Sequence, residues 1–153
     1  MLVKRKLKGE KMKIGIANDH HGIVLKQRII DYLKKHGLEY VNYGCDEENN
    51  VDYVDYAKML CDGINNKDVD LGILVCGTGI GMSIAANKIH NIIAAKVNTP
   101  REAGLAREHN MANVMTLAEY TEKLDEILDK FIFTKPSTEE RHHRKIKKIM
   151  NLK

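Results

Sequence analysis

The chain has 153 residues, of which 43% are hydrophobic and 30% charged. That length supports one domain with a real core, burying about 70% of the surface its unfolded chain exposes, and the mixed composition excludes a collagen-like or disordered chain. The net charge of +4 sits at the ends: residues 1–13 hold six Lys/Arg against one Glu, residues 141–153 hold six with no acid, and the stretch between is net acidic.

Basic ends on such a body are weak evidence for nucleic acid, and solvated ends account for them, so no nucleic-acid partner is expected. No run approaches the ~18 apolar residues that span a bilayer, and no apolar region follows the basic start as in a secretory signal. The three cysteines, Cys45, Cys61 and Cys76, form no C-x-x-C pair. A cytoplasmic chain with free thiols is expected.

Residues 1–12 read as a flexible extension, and the domain spans 13–153. Lys13–Asn18 reads as a strand. Gly22–His36 carries Ile23, Leu25, Ile29, Ile30 and Leu33 at helical spacing, with Gly37 as its C-terminal cap. Leu38–Tyr43 is a second strand, Gly44–Asn50 a polar loop and Asp52–Ile64 a helix. Asp70–Cys76 is an apolar third strand, Gly81–Ile89 a third helix and Ile92–Val97 a fourth strand. Thr99-Pro100-Arg101-Glu102 is a capping box with proline at the first helical position, opening a helix to Glu108. Asn113–Leu117 is a fifth strand. Glu122–Phe133 turns Leu124, Ile127, Leu128 and Phe131 inward. Ser137-Thr138-Glu139-Glu140 is a second capping box, opening a last helix to Met150.

Strands alternating with helices imply parallel strands joined by crossovers: a three-layer α/β/α, Rossmann-like domain with a five-stranded parallel sheet and a C-terminal helix. Ligands of such sheets sit at the carboxyl ends of the strands. Asn18-Asp19-His20, Cys76-Gly77-Thr78-Gly79 and Asn98-Thr99 are therefore expected along one edge.

The second of these segments is the most informative. Cys76 ends a buried strand, and Gly77, Gly79 and Gly81 alternate before a helix. The helix dipole and free N–H groups there stabilise a thiolate, and glycine lets backbone donors approach a ligand closely. The same donors can hold a phosphate or a developing oxyanion. The spacing fits neither a dinucleotide fingerprint, whose third glycine would fall at Met82, nor a P-loop, which needs G-K-[ST]. Cys45 and Cys61 read as inert small hydrophobes.

Asp19-His20-His21 ends the first strand. Alternation along a strand would point the two histidines to opposite faces, and no further ligands cluster nearby, so no metal is expected. His109, in Arg107-Glu108-His109-Asn110, is a candidate acid–base. Arg141, Arg144 and Lys145 share one side of the last helix: either an anion clamp or a solvated basic face.

Together these pieces resemble ribose-5-phosphate isomerase B and the related ribose/galactose-type sugar-phosphate isomerases. The resemblance covers about residues 13–150. It rests on Asn18-Asp19-His20, Val51-Asp52-Tyr53, the run from Cys76 through Gly77-Thr78-Gly79-Ile80-Gly81-Met82-Ser83 to Lys88, Arg107-Glu108-His109-Asn110, and the late Arg141-His142. It implies an aldose–ketose isomerase of pentose phosphate metabolism that needs no metal or cofactor. By resemblance Cys76 is the base that moves a proton between C2 and C1, backbone donors from Gly77 through Ile80 to Gly81 hold the enediolate, and Thr78 and Ser83 support the loop. His109 assists ring opening with Asn110 beside it. Asp19 and Tyr53 contact sugar hydroxyls, and His20, Arg141 and Lys145 take the phosphate. The resemblance also implies a homodimer or homotetramer, with the His109 residue completing the partner subunit's site.

The chain departs from the family pattern at the phosphate end. Ala118-Glu119-Tyr120 replaces a Gly-x-Arg turn, Glu139-Glu140 a Gly-Gly pair, and Lys145 an arginine. Met111 stands for an acid, Val54 for a proline and His21 for a small residue. The preferred sugar therefore stays open between ribose 5-phosphate and a six-carbon sugar phosphate, such as galactose 6-phosphate or allose 6-phosphate. A non-catalytic sugar-phosphate binder is the remaining alternative.

Overall fold

The computed structural model describes residues 11–47 and 49–152. Residues 1–10 of the expected extension lie outside them, and Met12 already packs against the core. Five strands form one parallel sheet: β1 (Lys13–Asn18), β2 (Glu39–Asn42), β3 (Leu71–Cys76), β4 (Ala94–Lys96) and β5 (Val114–Ala118), in the order β2-β1-β3-β5-β4. Helices α1 (Ile23–Lys35), α2 (Tyr53–Asn65), α3 (Ile80–Asn87), α4 (Pro100–Glu108), α5 (Leu124–Phe133) and α6 (Glu140–Met150) complete the domain.

Period-2 alternation in β3 divides the core. Ile73 and Val75 face a layer made by α1, α4 and α5, where Leu33, Ile127 and Phe131 are fully buried. Leu74 and Cys76 face the opposite layer, made by α2 and α3, against Leu60, Met82 and Ala86. This is the expected three-layer arrangement, and α6 lies outside both layers.

The chain winds outward from β1 to β2 through α1, then returns across β1 to β3 through α2. The direction of winding reverses between β1 and β3, which opens a crevice at their carboxyl ends. Asp19 follows one strand and Cys76 ends the other.

The capping box at Thr99 forms in full: Thr99 Oγ1 accepts from Glu102 N–H at 3.2 Å, and Glu102 Oε2 accepts from Thr99 N–H at 3.1 Å. The expected box at Ser137 does not form. The last helix starts at Glu140 with Glu139 before it, and Ser137 Oγ accepts from Glu139 N–H instead. The Ser137 hydroxyl is spent on this local i+2 turn rather than on the helix start. Asn98 and Thr99 are spent on capping α4 rather than on the crevice.

Candidate active site

The crevice is an open cleft of about 570 Å³ lined by Asp19, His20, Tyr53, Cys76, Thr78 and Gly81, with Gly77 and Ile80 between the last three. Cys76 is 4% exposed, and Gly79 N–H donates to its Sγ at 3.2 Å. That bond depends on a left-handed Gly79, φ +78°, whose missing Cβ would stand 3.0 Å from the Leu117 carbonyl carbon. Thr116 Oγ1, buried on the Cys76 face of β5, donates to the Gly79 carbonyl at 2.9 Å, and Glu119 N–H donates to the Cys76 carbonyl at 3.0 Å. Neither Thr116 nor Glu119 stands out in the sequence; only strand pairing reveals that β5 staples the cysteine loop.

Thr78 Oγ1 accepts from Ile80 N–H at 3.2 Å and so shapes the turn. The N–H groups of Thr78 and Gly81 meet no acceptor among the described residues, Gly81 as the first turn of a helix leaves it. Both residues line the cleft that holds Cys76, so these groups are candidate donors for a negatively charged oxygen. Gly81 is required by Tyr53: a Cβ there would lie 2.5 Å from Tyr53 Cζ. Ser83 sits one turn into α3, bonded through its N–H to Gly79 O, and is not part of the cleft lining.

Asp19 is 4% exposed and caps a short 3-10 turn, His20–Gly22, accepting from His21 N–H at 2.9 Å. That turn overrides the expected alternation. Both histidine rings lie together, with centroids 4.2 Å apart. His20 Nδ1 accepts from Val51 N–H at 3.3 Å, so the proton of the neutral ring sits on Nε2, a donor available to a ligand. His21 Nδ1 lies 3.9 Å from Glu119 Oε2 at the mouth. Among the described residues no group of three or more His, Cys, Asp or Glu is placed to hold a metal ion.

Cys61 fits the inert reading: burial pushes its thiol up to about 12. Cys45 is buried too, its Sγ donating to the Glu47 carbonyl.

The remaining expected residues form a second cluster. His109 caps the C-terminal end of α4, and its ring stacks on His142 of α6, 4.3 Å between centroids and 9° between planes. Arg141 Nε donates to Glu139 Oε2 at 2.5 Å, which holds the Glu139 carboxyl below its usual range. Asn110 and Lys145 are exposed nearby in sequence. None of His109, Asn110, Arg141 and Lys145 lines the Cys76 cleft. Topology explains this. Gly72 pairs with Val114 and Cys76 with Ala118, so β3 and β5 start and end level. The crossover helix α4 runs back from the carboxyl edge to the amino edge of the sheet, about 13 Å for nine residues. His109 at its end thus lies at the edge opposite Cys76. His142, quoted in the sequence only as part of a motif, is the residue that seats it.

The family described as Ribose/Galactose Isomerase matches residues 14–149. A putative sugar phosphate isomerase of Bacillus subtilis is 38% identical over 141 residues, 90% of this chain and 95% of that protein. A probable ribose-5-phosphate isomerase B of Mycoplasma genitalium is 41% identical over 143 residues, 90% and 93% of the two chains. The crystal structure of a ribose 5-phosphate isomerase from Thermotoga maritima superposes with a TM-score of 0.88 at 41% identity, covering 94% of this chain and all of that one. The Mycoplasma genitalium enzyme with bound ribulose-5-phosphate superposes at 0.84 and 39% identity, covering 91% and 94%. With the parallel sheet, the cysteine loop at the switch point and these likenesses taken together, the chain belongs to the ribose/galactose isomerase family and is an aldose–ketose isomerase.

Proposed function

We propose that the chain interconverts ribose 5-phosphate and ribulose 5-phosphate, with Cys76 as the base, in a site shared between two copies. The observation that carries this reading is the Gly79 N–H on Cys76 Sγ, in a cleft that also presents Asp19, His20 and Tyr53. The ribulose-5-phosphate-bound relative supports the substrate.

On open-chain ribose 5-phosphate the Cys76 thiolate takes the proton from C2. The C–H electron pair becomes the C1=C2 double bond, and the C1 carbonyl pair moves onto O1. The Thr78 and Gly81 N–H groups hold the resulting enediolate oxygen, the kind of preorganised donor that stabilises developing charge. Sulfur then returns the proton to C1 while the O2 hydroxyl proton passes to O1, leaving a ketone at C2 and restoring the thiolate. Asp19 and Tyr53 hold the sugar hydroxyls, and His20 Nε2 donates to the phosphate.

Ring opening needs an acid, and His109 does not line the cleft of its own chain. We assign it to His109 of a second copy, flanked by that copy's Asn110, with Arg141 and Lys145 of the same copy reaching the phosphate. The rim supports such docking: Val54, Ile80 and Ile84 are more than half exposed around Tyr53 and Gly81. An apolar patch bordering a polar cleft marks an interaction surface.

Proton NMR of ribose 5-phosphate incubated with the protein in deuterated water tests the reading. Ribulose 5-phosphate with deuterium at the exchanged carbon supports it. No product and no exchange from folded protein would refute it, and turnover of a six-carbon sugar phosphate alone would redirect it.

A further inference from the structure

Arg107 occupies the last turn of α4, two residues before His109, and is 9% exposed. Its Nη1 donates to the Ala112 carbonyl at 2.7 Å, its guanidinium carbon lies 5.7 Å from the Phe131 ring centre, and its Nε meets no acceptor. No carboxylate pairs with it among the described residues, and burial alone lowers its pKa. A buried cation without a counter-charge is expensive to keep. Packing does not explain it, since methionine would fill a similar space without the charge.

The segment Arg107 grips is the one that carries His109 and Asn110. Met111 has φ +52°, a left-handed conformation that costs a side-chain-bearing residue. Ala112 N–H folds back onto the Ala106 carbonyl at 2.9 Å, while Arg107 holds the carbonyl of the same Ala112. The turn from His109 to Met111 is thus closed by two bonds to one residue. Its other face rests on the His142 ring. Neither Arg107 nor Ala112 lines the Cys76 cleft.

We propose that Arg107 is a positioning residue for His109, holding the imidazole at its working angle by clamping the Ala112 carbonyl. The proposal rests on the isomerase reading above, in which His109 opens the sugar ring. Ring opening is separable from proton transfer. Ribulose 5-phosphate has no free 5-hydroxyl to close a furanose, so exchange of its C1 proton with deuterated solvent needs Cys76 but no ring-opening acid.

Arg107→Met is expected to lower kcat on ribose 5-phosphate about tenfold to a hundredfold, while C1 exchange of ribulose 5-phosphate stays within about twofold. In a His109→Gln background it should cause no further loss, because residues that act as one unit are not additive. Arg107→Lys keeps the charge but not the fork; it shows the same split and serves if the methionine variant does not fold. Equal falls in both reactions, additive loss on top of His109→Gln, or unchanged turnover would each overturn the proposal. A wild-type protein that catalyses neither reaction would overturn the isomerase reading, and the proposal with it.

Discussion

The imidazoles of His109 and His142 lie face to face, 4.3 Å apart, and join the end of α4 to the start of α6 at the edge of the sheet opposite Cys76. The site residues therefore fall into two clusters rather than one, which on the proposed reading are a proton-transfer half around Cys76 and an acid-and-phosphate half around His109. Each consequence below follows from that division.

Burial, helped by Arg141, His109 and Lys145, lowers the His142 pKa below the ordinary histidine value, with Glu139 opposing. A histidine whose folded pKa is depressed adds stability above its unfolded pKa of about 6.5 and loses it as pH falls through the folded value. Melting temperature is thus expected to decline as pH drops below about 6.5, and His142→Phe should flatten that decline. An identical pH profile in the variant would contradict the assignment.

Removing the sulfur tests the base. Cys76→Ala should reduce turnover by about a thousandfold, in the range general-base catalysis contributes. Circular dichroism and melting temperature should barely change, because Cys76 ends its strand and its backbone bonds remain. Substantial residual turnover would sink the role of Cys76.

Gly79 links loop geometry to chemistry. Gly79→Ala must hold φ +78° with a Cβ 3.0 Å from the Leu117 backbone. A loss of roughly 1–2 kcal/mol in stability is expected from the left-handed backbone, accompanied by a fall in kcat as the N–H moves off the sulfur. Denaturant unfolding and steady-state kinetics read the two effects separately.

At the phosphate end, Tyr120 is 67% exposed where the family carries arginine, and Glu139 occupies Arg141. Tyr120→Arg supplies a guanidinium at that position. It should lower KM for ribose 5-phosphate about tenfold, the worth of one charge-assisted bond, with kcat little changed. An unchanged or higher KM would mean that Lys145 and His20 already saturate the phosphate.

Much of this was legible in the sequence, and the failures are informative. The apolar run Leu71–Val75 and the glycines after Cys76 located the strand, turn and donors, because buried parallel strands and left-handed turns each demand particular residue types. Thr99 and Glu102 announced a cap that forms as expected. Ser137 carried the same local signature, yet the N-cap of α6 is Glu139, two residues later, because the Ser137 hydroxyl accepts from Glu139 N–H in a local turn. His20 and His21 read as opposite faces of a strand, but the 3-10 turn capped by Asp19 brings the rings together. Long-range ties such as Thr116 to Gly79 and His142 to His109 join residues 37 and 33 positions apart, and no local pattern encodes them.

The central claim is that Cys76 and His109 act in one site from different copies. It is tested by mixing Cys76→Ala with His109→Gln, each strongly impaired alone, after confirming that the two exchange subunits. If the site is shared, mixed dimers carry one intact site, and about a quarter of wild-type activity returns at equal proportions. Continued inactivity of the exchanged mixture would place both residues in a site made by a single chain and contradict the account.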